Sequence, residues 1–298
     1  MKNDLNNYLP DRSAPGSLKD QLSFQLVKPS AIRKIFKSRQ LFSHKGTYGH
    51  ALILAGAEQT MGAAILSAKG CLYAGAGLTT LSIPESGLTA LNTCLPEIMY
   101  LDRKTAAKDS ELKDYQSIAI GPGLSTVAAS LELLIHLLKQ QKALIIDADA
   151  LNLLALHREW IPEIPSGSIL TPHMKEFDRL FGEHRTWFER LNTAVKKAKE
   201  LNCLILLKNQ YTFVVNEQGK IFINTTGNPA MAQGGMGDVL TGILAAYRAQ
   251  GYSNEEAAVL GCYFHGLAGD SLAENEFNVT ASQVAEHLPA VVKKASFK

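Results

Sequence analysis

The 298-residue sequence predicts an α/β fold, a mainly parallel central sheet covered by helices on both faces. Three observations predict it. Short apolar runs of strand length alternate with amphipathic segments of helical period. Several of those runs end in glycine-bearing turns, and no long linker, low-complexity stretch or internal repeat divides the chain. Such alternation places crossover helices on both faces of a parallel sheet. Ligands in folds of this kind bind at the carboxyl ends of the strands.

In chain order, "HALILAGA" (50–57), "LTTLSIP" (78–84), "SIAIGPG" (117–123), "ALIIDAD" (143–149), "SILTPH" (168–173) and "CLILLK" (203–208) have the length and composition of buried strands. After the third, Ser125 opens a helix in which Val127, Leu131, Leu134 and Leu138 share one face. Asp149 suits the cap of a helix beginning at Ala150. Thr186 to Glu189, "TWFE", is a capping box ahead of Leu191, Ala194, Ala198 and Leu201. "TFVVNEQGKIFIN" (212–224) reads as a hairpin turning at Gln218-Gly219. Ser253 with Glu256, and Thr280 with Gln283, mark the starts of two further helices.

Composition narrows the function. Apolar residues make up 46% and charged residues 19%, ordinary for a soluble globular protein, and the chain is long enough to bury a sizeable core. A formal charge of +2 gives no electrostatic reason to expect nucleic acid or an acidic membrane surface as partner. The polar start "MKNDLNNYLPDRSAPGS" has no secretion core, and no apolar run approaches the ~20 residues of a membrane span. Cys71, Cys94, Cys203 and Cys262 are scattered without zinc spacing, so they read as reduced thiols and the expected location is the cytoplasm. Pro10, Pro15 and Gly16 argue against regular structure near the start. The expected organisation is an arm over 1–27 and a single domain over 28–298.

Chemistry concentrates at the strand ends. "AGAEQTMGAA" (55–64), "GPGLS" (121–125) and "GNPAMAQGGMGD" (227–238) are glycine-bearing turns of the kind that let backbone amides approach phosphate. In the last, Gly234, Gly235, Met236 and Gly237 would gather amides around one point, an anion hole, with Asp238 beside it. Asp238 is read either as the cap of the helix or as a base. An anion hole next to a carboxylate is what phosphoryl transfer to a hydroxyl uses: the amides steady the phosphate and the carboxylate accepts the alcohol proton. Lys208 ends a strand in "LLKNQYT", suited to phosphate or ribose or simply exposed. His173, in "TPHMKEF", is a ligand candidate or a structural histidine. Asp147 and Asp149 could orient a metal–phosphate or a substrate hydroxyl, Asp149 serving equally as the cap noted above. His44, Lys45 and Tyr48 are weaker candidates for phosphate or nicotinamide.

The motifs in this order, from "HKGTYGHALILAGA" through "MGAAILSAKGCLYAGAGL", "IGPGLS", "IIDADALNLL", "ILTPHMKEF" and "LLKNQYT" to "GNPAMAQGGMGDVLTG", resemble the ADP/ATP-dependent NAD(P)H-hydrate dehydratases of the ribokinase-like superfamily. The resemblance covers about residues 35–295. It implies a ribokinase-like three-layer sandwich and a hydro-lyase that restores NAD(P)H from its hydrate, by phosphoryl transfer to the ring hydroxyl and elimination. It implies substrate contacts at Ala64, Gly123, His173 and Asp238, with Asp238 as catalytic base. Nucleotide contacts fall at Lys208, Asn209, Gln210, Tyr211, Thr212 and Gly237. ADP or ATP is the implied co-substrate, with Mg²⁺ held through phosphates and water and no protein metal ligand. The implied partners are NADHX and NADPHX, a homo-oligomer with the tetramer favoured, and a separate epimerase, since too few residues precede His44 for an epimerase domain. Three positions depart from the family pattern: Met236 stands where threonine is usual, Met174-Lys175 replaces Pro-Gly, and Asn209 replaces glycine. They bear on rate and nucleotide preference more than on reaction type. The alternatives are a ribokinase-like kinase of a vitamin or sugar alcohol, and a silent nucleotide-binding protein.

Overall fold

The computed structural model describes residues 23–106 and 112–296. Residues 1–22 of the expected arm lie outside the described residues. Ten strands form one sheet: β1 Ser23–Leu26, β2 His50–Leu54, β3 Leu78–Ile83, β4 Met99–Asp102, β5 Ser117–Ile120, β6 Ile145–Ile146, β7 Ile169–Leu170, β8 Leu204–Leu207, β9 Thr212–Val215 and β10 Lys220–Asn224. The helices are α1 Pro29–Ile35, α2 Met61–Tyr73, α3 Leu88–Cys94, α4 Arg103–Ala106, α5 Ala128–Lys139, α6 Ala148–Leu156, α7 Met174–Phe181, α8 Trp187–Glu200, α9 Met236–Ala249, α10 Asn254–Ala273 and α11 Ala281–Ser296.

The strand order is β1-β10-β9-β8-β7-β6-β5-β2-β3-β4, and only β9 runs against its neighbours. Strand β2 shows how the sequence builds layers. Its alternate residues Ala51 and Ile53 enter one core, and Leu52 and Leu54 enter the other, as a strand period of two requires. The first core packs against α2, α9, α10 and α11. The second packs against α5, α6, α7 and α8. The expected mainly parallel sheet between two helical layers is therefore observed.

All six apolar runs contain strands, and the 212–224 segment is the expected hairpin. Its turn is closed by the Gly219 amide donating to the Asn216 carbonyl at 2.9 Å, with Gly219 at φ +82°. The two edges of the sheet were not expected. β4 and β1 are half-exposed, with Met99 48% and Leu26 45% accessible, so they lack the continuous apolar signature of buried strands. β1 pairs parallel with β10, so a domain boundary at 27/28 would cut away a strand of the sheet. Ser125 does not open α5 either. It adopts φ +65°, the helix begins at Ala128, and Val127 is 59% exposed. The buried stripe instead runs through Leu133, Leu134, Leu137 and Leu138. The other start signals hold: Thr186 with Glu189 and Ser253 with Glu256 form reciprocal boxes, as do Thr280 and Gln283.

β2, β3 and β4 run outward in one direction, after which the chain returns to place β5 on the other side of β2. This reversal opens a crevice between the carboxyl ends of β2 and β5. The loops there are tied together: the Gly56 amide donates to the Pro122 carbonyl at 2.8 Å, and the Gly121 amide to the Leu54 carbonyl at 3.1 Å.

α9 is brought to the same end by unusually close packing on α2. A Cβ at Gly242 would stand 1.8 Å from the Ser67 carbonyl oxygen, and one at Gly70 would stand 2.3 Å from the Val239 carbonyl oxygen. The backbones touch at both points, so neither helix can give way locally. Gly242→Ala is expected to lower stability by about 1–3 kcal/mol or more, the range of overpacking in a filled core. Urea denaturation measures it, and an unchanged midpoint would contradict the close approach.

Candidate active site

The strand-end loops after β2, β5, β6, β7 and β8 meet the amino end of α9. Gly235 is the cap residue of α9, at φ +90°, a conformation for which glycine is suited. A Cβ there would also come 2.5 Å from the Leu66 side chain. The first-turn amides of a helix have no intrahelical acceptor and favour negative charge. The turn at Gly234–Gly237 thus leads into the open amino end of α9.

Behind this turn lies a buried ion pair. Lys208 Nζ stands 2.7 Å from Asp147 Oδ1, and the Thr241 hydroxyl, from the second turn of α9, donates to Asp147 Oδ2 at 2.6 Å. Burial works against the Asp147 carboxylate, but Lys208 and the hydroxyls of Thr241 and Thr171 overcome it and hold its pKa below the usual range. Burial works against the Lys208 ammonium too, and the charges of Asp147, Glu176 and Asp238 keep it protonated. A Cβ at Gly237 would sit 3.4 Å from Lys208 Nζ. The ammonium therefore lies against the first turn of α9, at a distance where a Cβ would make only ordinary van der Waals contact.

Asp238 is the third residue of α9, not its cap. Its carboxylate has no hydrogen-bond partner among the described residues. Burial raises its pKa to about 6, the charges of Asp147 and Asp149 adding to the effect and Lys208 opposing it. Asp149 is likewise not the helix cap expected of it. Its Oδ2 accepts the Ser125 amide at 2.8 Å, bridging the loops after β5 and β6. Ser125 and Ala148, at φ +65° and +47°, are non-glycine residues in the left-handed region at this bridge, the kind of local strain that a well-packed surround must sustain.

His173 caps α7. Its Nδ1 accepts the amides of Lys175 and Glu176, and its own amide donates to Glu176 Oε2 at 2.8 Å. Burial and the nearby Lys208 lower its pKa, so the ring is neutral and the occupied Nδ1 leaves the proton on Nε2. That nitrogen is a donor, 3.4 Å from Glu176 Oε1. Burial raises the Glu176 carboxyl to about 7.

His173, Lys208, Asn209, Gln210, Thr212, Met236 and Gly237 line one cavity of about 720 Å³. Tyr211 is turned into the core at 6% exposure. Gly123 and Ala64 lie on the β2–β5 side, outside that lining. Gly123, at φ +58°, accepts the Thr60 hydroxyl at 2.6 Å, and the Ala64 Cβ is fully buried against Gly56. His44, Lys45 and Tyr48 precede β2 and so sit at the opposite end of the sheet. Sequence reasoning missed Thr241, Glu176 and Arg103. Arg103 Nη2 lies 2.6–3.0 Å from the carbonyls of Ala55, Gly56 and Ser82 and fixes the loop after β2. Only Glu176 carried a signal, its spacing of three from His173. Among the described residues no group of three or more His, Cys, Asp or Glu side chains is disposed to hold a metal ion, and no helix is long and apolar enough to cross a membrane.

A doubly layered, mainly parallel sheet with a glycine-opened helix and a carboxylate at its switch point is the architecture of ribokinase-like proteins. The family model described as NAD(P)H-hydrate dehydratase matches residues 51–290, and the chain belongs to that family. It is 34% identical over 268 residues to the ADP-dependent (S)-NAD(P)H-hydrate dehydratase of Lactococcus lactis, covering 88% of this chain and 96% of that one. It is 36% identical over 285 residues to the bifunctional NAD(P)H-hydrate repair enzyme Nnr of Moorella thermoacetica, but spans only 54% of that protein. The chain spans about half the length of such bifunctional relatives. The crystal structure of the ADP/ATP-dependent NAD(P)H-hydrate dehydratase from Bacillus subtilis, co-crystallised with ATP/Mg²⁺, matches with TM-score 0.79 and 30% identity over 92% of this chain and 99% of that one.

The raised pKa of Asp238 has a stability consequence. Its folded value of about 6 lies above the ordinary 3.8, so its protonated form favours folding, and stability falls as pH rises from about 4 to about 6. The attraction of the helix start for an anion is smaller. Asp238→Asn is expected to be more stable than the parent at pH 8 by on the order of 1–2 kcal/mol, with the gap closing below pH 4. Denaturant titrations at the two pH values measure it; a less stable variant at pH 8 would contradict the unpaired charge.

Proposed function

We propose that this chain uses ADP or ATP to dehydrate the S epimer of NAD(P)H hydrate, returning NADH or NADPH. The observation that carries the reading is the partnerless Asp238 carboxylate, poised near pH 6, at the mouth of a glycine-opened helix with the Lys208 ammonium behind it. Asp238 takes the proton from the ring hydroxyl as its oxygen attacks the terminal phosphorus. The amides of Gly234 to Gly237 and Lys208 stabilise the transferring phosphoryl group. The shortened nucleotide leaves, phosphate then departs from the ring, and a proton lost from the neighbouring carbon restores the double bond. Hydroxide leaves poorly near neutral pH, whereas phosphate leaves well. His173, fixed as an Nε2 donor, is suited to hold an oxygen of the substrate. Asn209, Gln210 and Thr212 are suited to the nucleotide, Gly123 borders the site on the β2–β5 side, and Ala64 supports that side from within the core. Tyr211 supports that loop from within the core.

Mg²⁺ would enter with the nucleotide, carried by phosphates and water, and supply charge neutralisation. A homo-oligomer, the tetramer first, a separate epimerase and a cytoplasmic location complete the reading. The free thiols of Cys71, Cys94, Cys203 and Cys262 accord with a reducing compartment.

The test mixes purified protein, Mg²⁺, hydrated NADH and either nucleotide, and follows the return of reduced-nicotinamide absorbance. Recovery that requires nucleotide is expected. Bound nucleotide without recovery would shift the reading to a kinase of another alcohol or a silent binder. Asp238→Asn is expected to cut turnover by about 10²–10⁴-fold while leaving nucleotide affinity within about threefold. The parent kcat/KM should rise through a limb near the pKa of about 6; a flat profile, with near-normal turnover of the Asp238→Asn variant, would remove the base assignment. Met236 lines the cavity, and Met236→Thr is expected to hold or raise activity, a hydroxyl there adding a hydrogen bond of about 1–3 kcal/mol if it reaches phosphate.

A further inference from the structure

The loop after β10 forms one wall of the cavity, where Thr226, Gly227, Asn228, Pro229 and Met231 line it. This wall stands on the nucleotide side. β9 and β10 pair antiparallel with Thr212 opposite Asn224, so the loop after β10 and the Asn209–Tyr211 loop leave the sheet side by side. The same loop runs on to the glycine turn that opens α9.

The wall is seated on α10. Gly266, Gly269 and Asp270 are spaced three and four apart and share one face of that helix. A Cβ at Gly266 would stand 2.3 Å from the Thr226 hydroxyl oxygen, and one at Gly269 would stand 2.1 Å from Met231 Sδ. The loop therefore lies directly on the helix at two points, and the bonds of Asp270 fall between them. The Gly227 amide donates to Asp270 Oδ2 at 2.9 Å, and Asn228 Nδ2 donates to Asp270 Oδ1 at 2.8 Å. Asn228 Oδ1 in turn accepts the Ala230 amide at 2.9 Å. A carboxylate offers acceptors alone, so it can hold both donors at once, whereas a carboxamide offers one acceptor and one donor group.

We propose that Asp270 is a positioning residue for nucleotide binding, its carboxylate fixing the Gly227–Asn228 turn as a wall of the cavity. Asp270 acts through that turn and not on the ligand itself. The inference rests on the reading of this cavity as the nucleotide site.

The test is calorimetric titration of the whole protein with ADP, together with the KM for hydrated NADH and a denaturation midpoint for each variant. Asp270→Asn sets donor against donor, and Asn228→Asp sets carboxylate against carboxylate. Each is expected to weaken ADP binding about tenfold, the effect of one lost hydrogen bond to a charged group. The KM for hydrated NADH should stay within about threefold of the parent. In the double variant the two side chains exchange roles: the carboxamide at 270 accepts the Gly227 amide and donates to the carboxylate at 228, which keeps the Ala230 amide. It should bind ADP at least about fivefold more tightly than Asn228→Asp, which carries the same charge at 228, so that the comparison isolates the pairing. Should Asp270→Asn not fold, Asn228→Asp decides the matter, since it breaks the same bond and leaves α10 untouched. Additive losses in the double variant would overturn the proposal, as would equal weakening of ADP and hydrate, which a merely structural role would give. Parent-like ADP binding by the single variants would overturn the role of Asp270 and leave the nucleotide site standing. No binding of ADP by the parent would remove the nucleotide reading and this inference together.

Discussion

The site is organised around one buried ion pair. Lys208 and Asp147, 2.7 Å apart, come from the ends of β8 and β6, and Thr241 ties the same carboxylate to α9. Two charges taken out of water are costly, and the attraction between them repays that only with good geometry and further hydrogen bonds. Here the geometry joins three elements at the point where they must stay in register. It also fixes an ammonium against the first turn of α9, beside Gly237. The helix start and the ammonium favour negative charge on one side, while Asp238, one residue further on, is left unpaired. One pair thus places positive charge at the helix start, as the proposed anion hole requires, while its Asp147 charge adds to the raised pKa of Asp238.

The remaining structure holds that arrangement still. The backbone contact of α9 with α2 at Gly242 and Gly70 leaves the helix little freedom to slide. Arg103 gathers the loop after β2, and the Asp149–Ser125 bond joins the loops after β5 and β6. His173 and Glu176 close the start of α7 on each other. The last three sit at carboxyl strand ends, so the parallel sheet converges them by its topology.

Much of this was legible in the sequence, for identifiable reasons. The six apolar runs are buried on both faces, so their signature is continuous, and the capping boxes at Thr186 and Ser253 are local devices that need no tertiary context. The glycine run and Asp238 were legible as a pair, although position within the helix turn was not: a cap and a third residue differ by one turn of backbone that only Gly235 at positive φ decides. Edge strands β1 and β4 were silent because half of their surface faces water. Asp149 and Ser125 each carried the signal of a helix start, but their hydrogen bond to one another took precedence. Thr241 and Arg103 act on partners far away in the chain, and no local pattern records that.

The most direct test of this account is a double-mutant cycle on ADP affinity with Asp147→Asn, Lys208→Met and the double variant, each checked for a folded state. If the function of Asp147 is to hold Lys208 against the anion-binding turn, the double variant should bind no more weakly than Lys208→Met alone. The coupling should then nearly equal the whole effect of Asp147→Asn. Additive losses would mean that the two residues act independently, and the ion pair would not be the organising element of the site.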